Sequence, residues 1–211
     1  PNIKPNIFAL SDGIIEAYSK VNVPKEKLFL TPNGLDNSEY RFVDKPKYPD
    51  RSICIGKIED RKKQYFLQGI DSLWFAGNIA DNRFNKNKNY LGELPKSKIK
   101  TDLTEYGNLV LVSDGEVHPR VCTEALAAGL GVVISECGIA NLDLDKEFIT
   151  VIPDSKINDL EYIQTQTIRN RDFSIRNRHA IREYACQFDW SNILEKYYLP
   201  SIQMVRSHYD S

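Results

Sequence analysis

The chain has 211 residues, 41% of them hydrophobic, and its 28 basic and 29 acidic side chains leave a formal net charge of −1. That is enough apolar material for one substantial core, and the near-neutral charge gives no global basic field of the kind nonspecific nucleic-acid binding needs, so no nucleic-acid partner is expected. The lysines between Lys86 and Lys100 and the arginines between Arg169 and Arg182 read as solvated loop and helix faces. Four cysteines, Cys54, Cys122, Cys137 and Cys186, lie far apart without zinc spacing and read as reduced and mostly buried. With no signal peptide and no apolar run long enough to cross a bilayer, the expectation is a cytoplasmic protein without a transmembrane segment. The chain begins at Pro1 rather than methionine and is expected to be a fragment.

The first elements are an apolar run at Asn6-Ile-Phe-Ala-Leu10, an amphipathic stretch from Gly13 to Lys20, and Leu28-Phe-Leu-Thr31, followed by the turn signal Pro32-Asn33-Gly34. Ser52-Ile-Cys-Ile-Gly56-Lys57-Ile58 reads as a buried strand, and Arg61 to Gly69 as a helix joined to it by a short connection. Arg61, Lys62 and Lys63 place three cations in the first turn of that helix. They oppose its macrodipole at about 0.3–1 kcal/mol each, a conflict that an anion would relieve. Arg61 and Lys63 are taken as surface charges. Leu73-Trp-Phe-Ala-Gly77 and Tyr90-Leu-Gly-Glu-Leu94 read as two more short strands with glycine at their exits.

The most informative passage is Glu116-Val-His-Pro-Arg-Val-Cys-Thr-Glu124-Ala-Leu-Ala-Ala-Gly129. It lies between the strand-like runs Leu109-Val-Leu-Val112 and Gly131-Val-Val-Ile-Ser135, so the local order is strand, loop, helix, strand. Pro119 suits the first helical position and Gly129 a left-handed C-terminal cap, giving a helix of about ten residues. Its free N–H groups near Arg120, Val121 and Cys122 face the loop at the carboxyl end of the preceding strand, where open α/β sheets bind anions. Glu116 is in that loop. Glu124, more than a turn deeper, is placed to accept hydrogen bonds from ribose hydroxyls. His118 is a candidate to polarise a sugar hydroxyl or to cap the helix. From Asn158 the pattern is helical: Asn158–Arg169, Ser174–Phe188 with Ser174 as cap, and Asp189 to about His208, with a kink expected at Pro200.

The paired glutamates, the Pro-Arg between them and the Glu-Ala-Leu-Ala-Ala-Gly helix resemble the signature of the retaining group 1 glycosyltransferases of the GT-B fold. The resemblance extends over most of residues 6–195. It implies an α/β Rossmann-like parallel sheet with helices on both faces, the C-terminal half of a GT-B enzyme. Residues 1–36 would be the remnant of an N-terminal domain and its linker, 37–188 the nucleotide-sugar-binding domain, and 189–211 a helix returning toward the N-terminal domain, anchored by Trp190, Tyr197 and Tyr198. It further implies that Lys57 and Lys62 neutralise the leaving diphosphate, that Glu116 contacts the donor sugar, that the amides around Arg120 and Val121 hold phosphate, that Glu124 binds ribose, and that Glu93 and Leu94 lie along the nucleobase, read largely by backbone groups. The donor would be a UDP-sugar or GDP-sugar, used without a cofactor or a metal, the acceptor a glycan, lipid or protein, and the missing partner an N-terminal GT-B domain.

The sequence departs from that family twice. Lys57 stands where the family carries arginine, keeping charge but losing the planar fork. Cys137-Gly-Ile-Ala-Asn141 stands where many members carry a glycine pair and a glutamate. A non-catalytic nucleotide-sugar-binding or assembly module is therefore the alternative, although retention of the basic pair and both glutamates favours an enzyme. Asp143-Leu-Asp145 has the form of a metal-binding Asp-x-Asp but follows a strand already placed in the GT-B pattern. Asp114-Gly115 is taken as a simple turn.

Overall fold

The computed structural model describes residues 5–86 and 89–207. Its centre is a five-stranded parallel sheet, built from β3 (Tyr48–Ile55), β4 (Leu73–Ala76), β5 (Tyr106–Leu111), β6 (Gly131–Ser135) and β7 (Ile149–Ile152) in the order β4-β3-β5-β6-β7. A separate parallel pair, β1 (Ile7–Ala9) and β2 (Leu28–Leu30), flanks α1 (Asp12–Lys20). The remaining helices are α2 (Gln64–Leu67), α3 (Lys96–Asp102), α4 (Arg120–Ala127), α5 (Leu160–Arg176), α6 (Arg178–Ala185), α7 (Trp190–Ile193) and α8 (Leu199–Ser207).

Both faces of the sheet are buried, which is why its strands read as continuous apolar runs rather than alternating ones. The two-residue period of the strands sorts them cleanly. Ile53, Ile55, Leu109, Leu111, Val132 and Ile134 pack with Leu126 of α4 and Ile181 of α6. Their neighbours Cys54, Val110, Val112 and Val133 pack on the other side with Leu67 of α2 and Ile163 of α5. The expected fold class, a Rossmann-like parallel sheet with helices on both faces, is the one observed.

Several local expectations are corrected. The run from Arg61 to Gly69 is not one helix: Asp60–Lys62 form a 3-10 turn, Lys63 takes a left-handed conformation (φ 51°), and only Gln64–Leu67 are α-helical. The break puts Arg61 and Lys62 outside the helix and leaves Lys63 as its N-terminal cap. Tyr90 makes a single parallel bridge to Phe75 instead of starting a strand, because Gly92 turns the chain off the edge at φ 82°. The helix after Glu116 has eight residues, with Pro119 as its N-terminal cap rather than its first residue, while Gly129 is left-handed at φ 81°. Ser174 is no cap. Asp159 caps α5 by accepting from Tyr162 N–H at 3.0 Å, and Ser174 is buried against Gly131, its hydroxyl donating to Asn170 O at 2.7 Å.

The arginine run is a solvated face only at Arg169 and Arg176, which are exposed. Arg171 and Arg178 are buried, and Arg182 donates to the carbonyls of Tyr40 and Asn37 at 2.9 and 2.8 Å. Arg178 donates to Val43 O, Tyr106 O, Thr104 O and Ala128 O, so one guanidinium closes backbone groups from three segments. Burial pulls its pKa down to about 10. At Pro200 the missing N–H is accommodated upstream by a π-helical turn, Leu194–Tyr198. The expected end of that helix at His208, like Lys88, lies outside the described residues. Among the described residues no helix is long and apolar enough to cross a membrane.

The C-terminal segment lies on residues 31–37. Leu35 N–H donates to Phe188 O at 2.9 Å, Trp190 N–H to Leu35 O at 3.0 Å, and Tyr198 Oη to Thr31 O at 3.4 Å. The Trp190 ring covers Gly34, where a Cβ would stand 2.6 Å from it. Of the three aromatic anchors, Trp190 and Tyr198 thus meet the linker.

Candidate functional site

The strand order reverses between β3 and β5, since the chain runs outward from β3 to β4 and then crosses back to β5. In open α/β sheets the crevice beyond the carboxyl ends of strands at such a reversal is where ligands bind. Four loops meet there. Beyond β3 come Gly56 and Lys57, beyond β4 Gly77 and Asn78, beyond β5 Ser113 to His118, and beyond β6 Glu136 to Asn141. Gly56 and Gly77 are pressed together, both at positive φ, and a Cβ on Gly77 would lie 1.9 Å from Gly56 O.

Lys62 and Glu116 are brought together, Nζ to Oε1 at 3.5 Å, with side chains only 14% and 13% exposed. The Lys62 ammonium is also 3.0 Å from where a Cβ on Gly56 would stand, so it lies against the β3 exit. Arg61, expected as a surface charge, joins the same cluster: it meets Glu116 Oε1 at 3.1 Å and Glu59 Oε1 at 2.8 Å, and bonds Gly115 O. Lys57 meets Glu59 at 3.7 Å and not Glu116. The result is one network, Lys57–Glu59–Arg61–Glu116–Lys62. Burial resists ionisation of Glu59, but the hydrogen bond and charge of Arg61, with Lys57 and Lys62, hold its carboxyl below the usual range. Lys63 likewise leaves the surface to pair with Asp114 at 3.1 Å, which makes Asp114 more than a turn residue.

The tip of α4 lies beside this network. Among the described residues nothing accepts from the N–H groups of Arg120 and Val121, whereas the Cys122 N–H, expected to be free, donates to Pro119 O at 3.0 Å. Cys122 is fully buried, and burial raises its pKa; Cys54, behind Gly56, is pushed up to about 12 for the same reason. Both are neutral thiols packed under the site. His118 turns toward the linker, Nδ1 accepting from Asn33 N–H at 3.4 Å, and Nε2 is buried without a partner. Burial, then the charge of Arg120, lowers its pKa, so the imidazole is neutral near pH 7 with its proton on Nε2.

Glu124 is not in the cation network. Its partner is Tyr40, whose pKa is raised by burial, by the charge of Glu124 and by their hydrogen bond. Tyr40 follows the linker and carries no motif that would have singled it out. Glu93 and Leu94 occupy a neighbouring cleft of about 290 Å³, with Ile55, Gly56, Lys57, Ala76, Gly77, Asn78 and Ile99. A second cleft, of about 460 Å³, lies between Glu116, Val117, Cys137, Ile139 and Ala140 on one side and Ser11, Gly13, Ile14 and Ala17 on the other. The loop that lacks the family's glutamate forms part of its wall, and Asn141, left-handed at φ 63°, ties that loop to Leu10 O at 2.9 Å. Among the described residues no three His, Cys, Asp or Glu side chains are grouped to hold a metal, and Asp143 pairs with Lys146 at 3.5 Å.

No family model and no curated protein sequence matches the chain. Solved structures do match in fold. HepE of Anabaena, in complex with UDP-glucose, superposes with a TM-score of 0.72 at 14% identity, over 100% of this chain and 65% of its own. The lipopolysaccharide outer core galactosyltransferase WaaB, in its apo form, gives 0.71 at 13% over 92% of this chain and 60% of its own. Sucrose-phosphate synthase from Thermosynechococcus elongatus gives 0.69 at 19% over 96% and 57%. The chain therefore spans about three fifths of the length of these proteins. The fold it shares with them is that of GT-B glycosyltransferases.

Proposed function

We propose that this chain is the donor-binding part of a cytoplasmic glycosyltransferase that moves a sugar from a nucleoside-diphosphate donor to a glycan, lipid or protein acceptor, with retention and without a metal. The observation that carries the reading is the pairing of Lys62 and Arg61 with Glu116 beside the free N–H groups of α4, at the reversal of the sheet. Cleavage of a sugar–diphosphate bond builds negative charge on the phosphate oxygens. Cations and helix amides fixed where that charge grows stabilise the transition state without reorganising. Lys57 and Lys62 would serve the departing diphosphate, Arg120 and Val121 N–H the phosphate at the helix tip, Glu116 the sugar, and Glu124, oriented by Tyr40, the ribose. In the free protein Glu59 and Glu116 hold the cations. Phosphate oxygens would take over part of that role on binding. His118 would hold the Glu116 loop against Asn33 of the linker.

The acceptor site would come from an N-terminal domain, so this chain alone should bind donor and transfer negligibly. The test is a thermal-shift series with nucleoside diphosphates, without added metal and then with manganese. A ligand at one hundred times its Kd should stabilise the domain by about 2.7 kcal/mol. The reading fails if no nucleoside diphosphate shifts the melting temperature at millimolar concentration, and its metal-independence fails if a shift needs manganese.

A further inference from the structure

We infer that the cleft between β3 and β4 selects guanine, with Glu93 as the residue that sets this specificity. The inference rests on the donor-site reading above and adds the identity of the base. The cleft joins the cation network through Gly56 and Lys57, which belong to both, so a base seated in it continues from a diphosphate at Lys62. Its walls are apolar, with Ile55, Ala76, Leu94 and Ile99 available to the two faces of a flat ring.

What reads the edge of that ring is decided by which polar groups remain free. Part of the backbone is committed, while the N–H groups of Asn78, Glu93 and Leu94 have no partner among the described residues. Gly56 N–H donates to Ala76 O at 3.0 Å, Gly77 N–H to Gly92 O at 2.9 Å, and Ile58 N–H to Asn78 O at 2.8 Å. Gly77 O accepts from Tyr90 Oη at 2.9 Å, and Lys57 O from Gln64 Nε2 at 3.0 Å. The polar side chains of the cleft are Lys57, directed to Glu59, the Asn78 amide and the Glu93 carboxylate, the one charged acceptor among them. The last two meet at 3.5 Å, which sets the carboxylate at the cleft.

An ionised carboxylate only accepts hydrogen bonds, through two oxygens side by side. Guanine alone among the common bases presents two adjacent donors, N1–H and the 2-amino group, that fill both. Uracil presents one N–H flanked by two carbonyl oxygens, so the second carboxylate oxygen faces another acceptor. Adenine and cytosine each offer one donor beside an acceptor. A site built to satisfy a group rejects analogues that leave it unpaired, and the charge of the carboxylate sharpens that rejection.

The experiment is calorimetric titration of the 211-residue chain with GDP, IDP, UDP and ADP, repeated on Glu93→Gln and Glu93→Ala. Glu93 is exposed, so both variants keep the fold. GDP should bind at least tenfold more tightly than UDP, and IDP, which lacks the 2-amino group, severalfold more weakly than GDP. Glu93→Ala should bring GDP down to the level of UDP. Glu93→Gln should narrow or invert the preference, because an amide offers the acceptor and donor that uracil's N3–H and carbonyl require. Tighter binding of UDP than GDP, or a GDP preference that survives Glu93→Ala, overturns the guanine inference and leaves the donor-site reading intact. Failure of every nucleotide to bind overturns both.

Discussion

At the scale of single residues the proposed donor site would set fixed carboxylates against an incoming anion. Glu116 neutralises Lys62 and Arg61 at 3.5 and 3.1 Å, so it holds the cations that the diphosphate would need. Removing it should therefore help the bare nucleotide. For Glu116→Gln the expected result is a two- to fivefold tighter Kd for the free nucleoside diphosphate, from roughly 0.5–1 kcal/mol of released pairing, together with weaker binding of the intact nucleotide sugar. Glu124→Ala should act the other way, costing about 1.5–3 kcal/mol with the bare diphosphate, because the ribose is already present in that ligand. Titration of both variants with both ligands checks the assignment. Equal losses with the bare diphosphate would show that the sugar and ribose roles are misplaced.

Elements explain why some of this was legible in the sequence and some was not. The strands and α4 announce themselves because both faces of the sheet are apolar and because Gly129 closes α4 in a left-handed turn. Lys62 and Glu116 are each singled out by the family resemblance, though not as a pair. Arg61 was missed because a run of three cations looks the same whether or not one of them folds inward, and only the left-handed break at Lys63 decides it. Tyr40 was invisible for a related reason: it acts through Glu124, a partner remote in sequence, and that distance has no periodicity. Asp189 shows the same economy at the start of α7. Its carboxylate accepts from Ser191 N–H at 3.2 Å and from Asn37 N–H at 3.2 Å. Burial opposes its ionisation, but these backbone and side-chain hydrogen bonds hold its pKa below the usual value. A carboxyl depressed in the folded state stabilises it above the unfolded value, near 3.9, and loses that contribution as pH falls through the folded one. Asp189→Ala should therefore cost about 1–2 kcal/mol at pH 7. The gap from the parent protein should close as urea melts are taken down through the acid range, and a gap independent of pH would refute the assignment.

Across the whole molecule the buried arginine of α6 is the main fastener outside the apolar core. Arg178 binds carbonyls before β3, around the start of β5 and at the end of α4, so removing it leaves several buried acceptors unpaired. Arg178→Ala should destabilise by on the order of 3–5 kcal/mol. Arg178→Lys should recover only part of that, because an ammonium has three donors and no fork. Chemical denaturation of both variants measures it, and a loss under 1 kcal/mol would mean that water replaces the guanidinium at little cost.

The C-terminal segment crossing residues 31–37 has a mechanical consequence. Leu35 is bonded on both sides to the backbone of Phe188 and Trp190, and Gly34 is roofed by the indole, so this stretch is fixed to the C-terminal segment. Thr31 and Pro32 lie just outside that stretch, with Thr31 buried. Across from them stands the π turn Leu194–Tyr198, whose Tyr198 hydroxyl grips Thr31 O. Thr31 is thereby held from two sides, its N–H by Ala9 O at 2.7 Å and its carbonyl by Tyr198 Oη at 3.4 Å, so β1 and the C-terminal turn share one anchor.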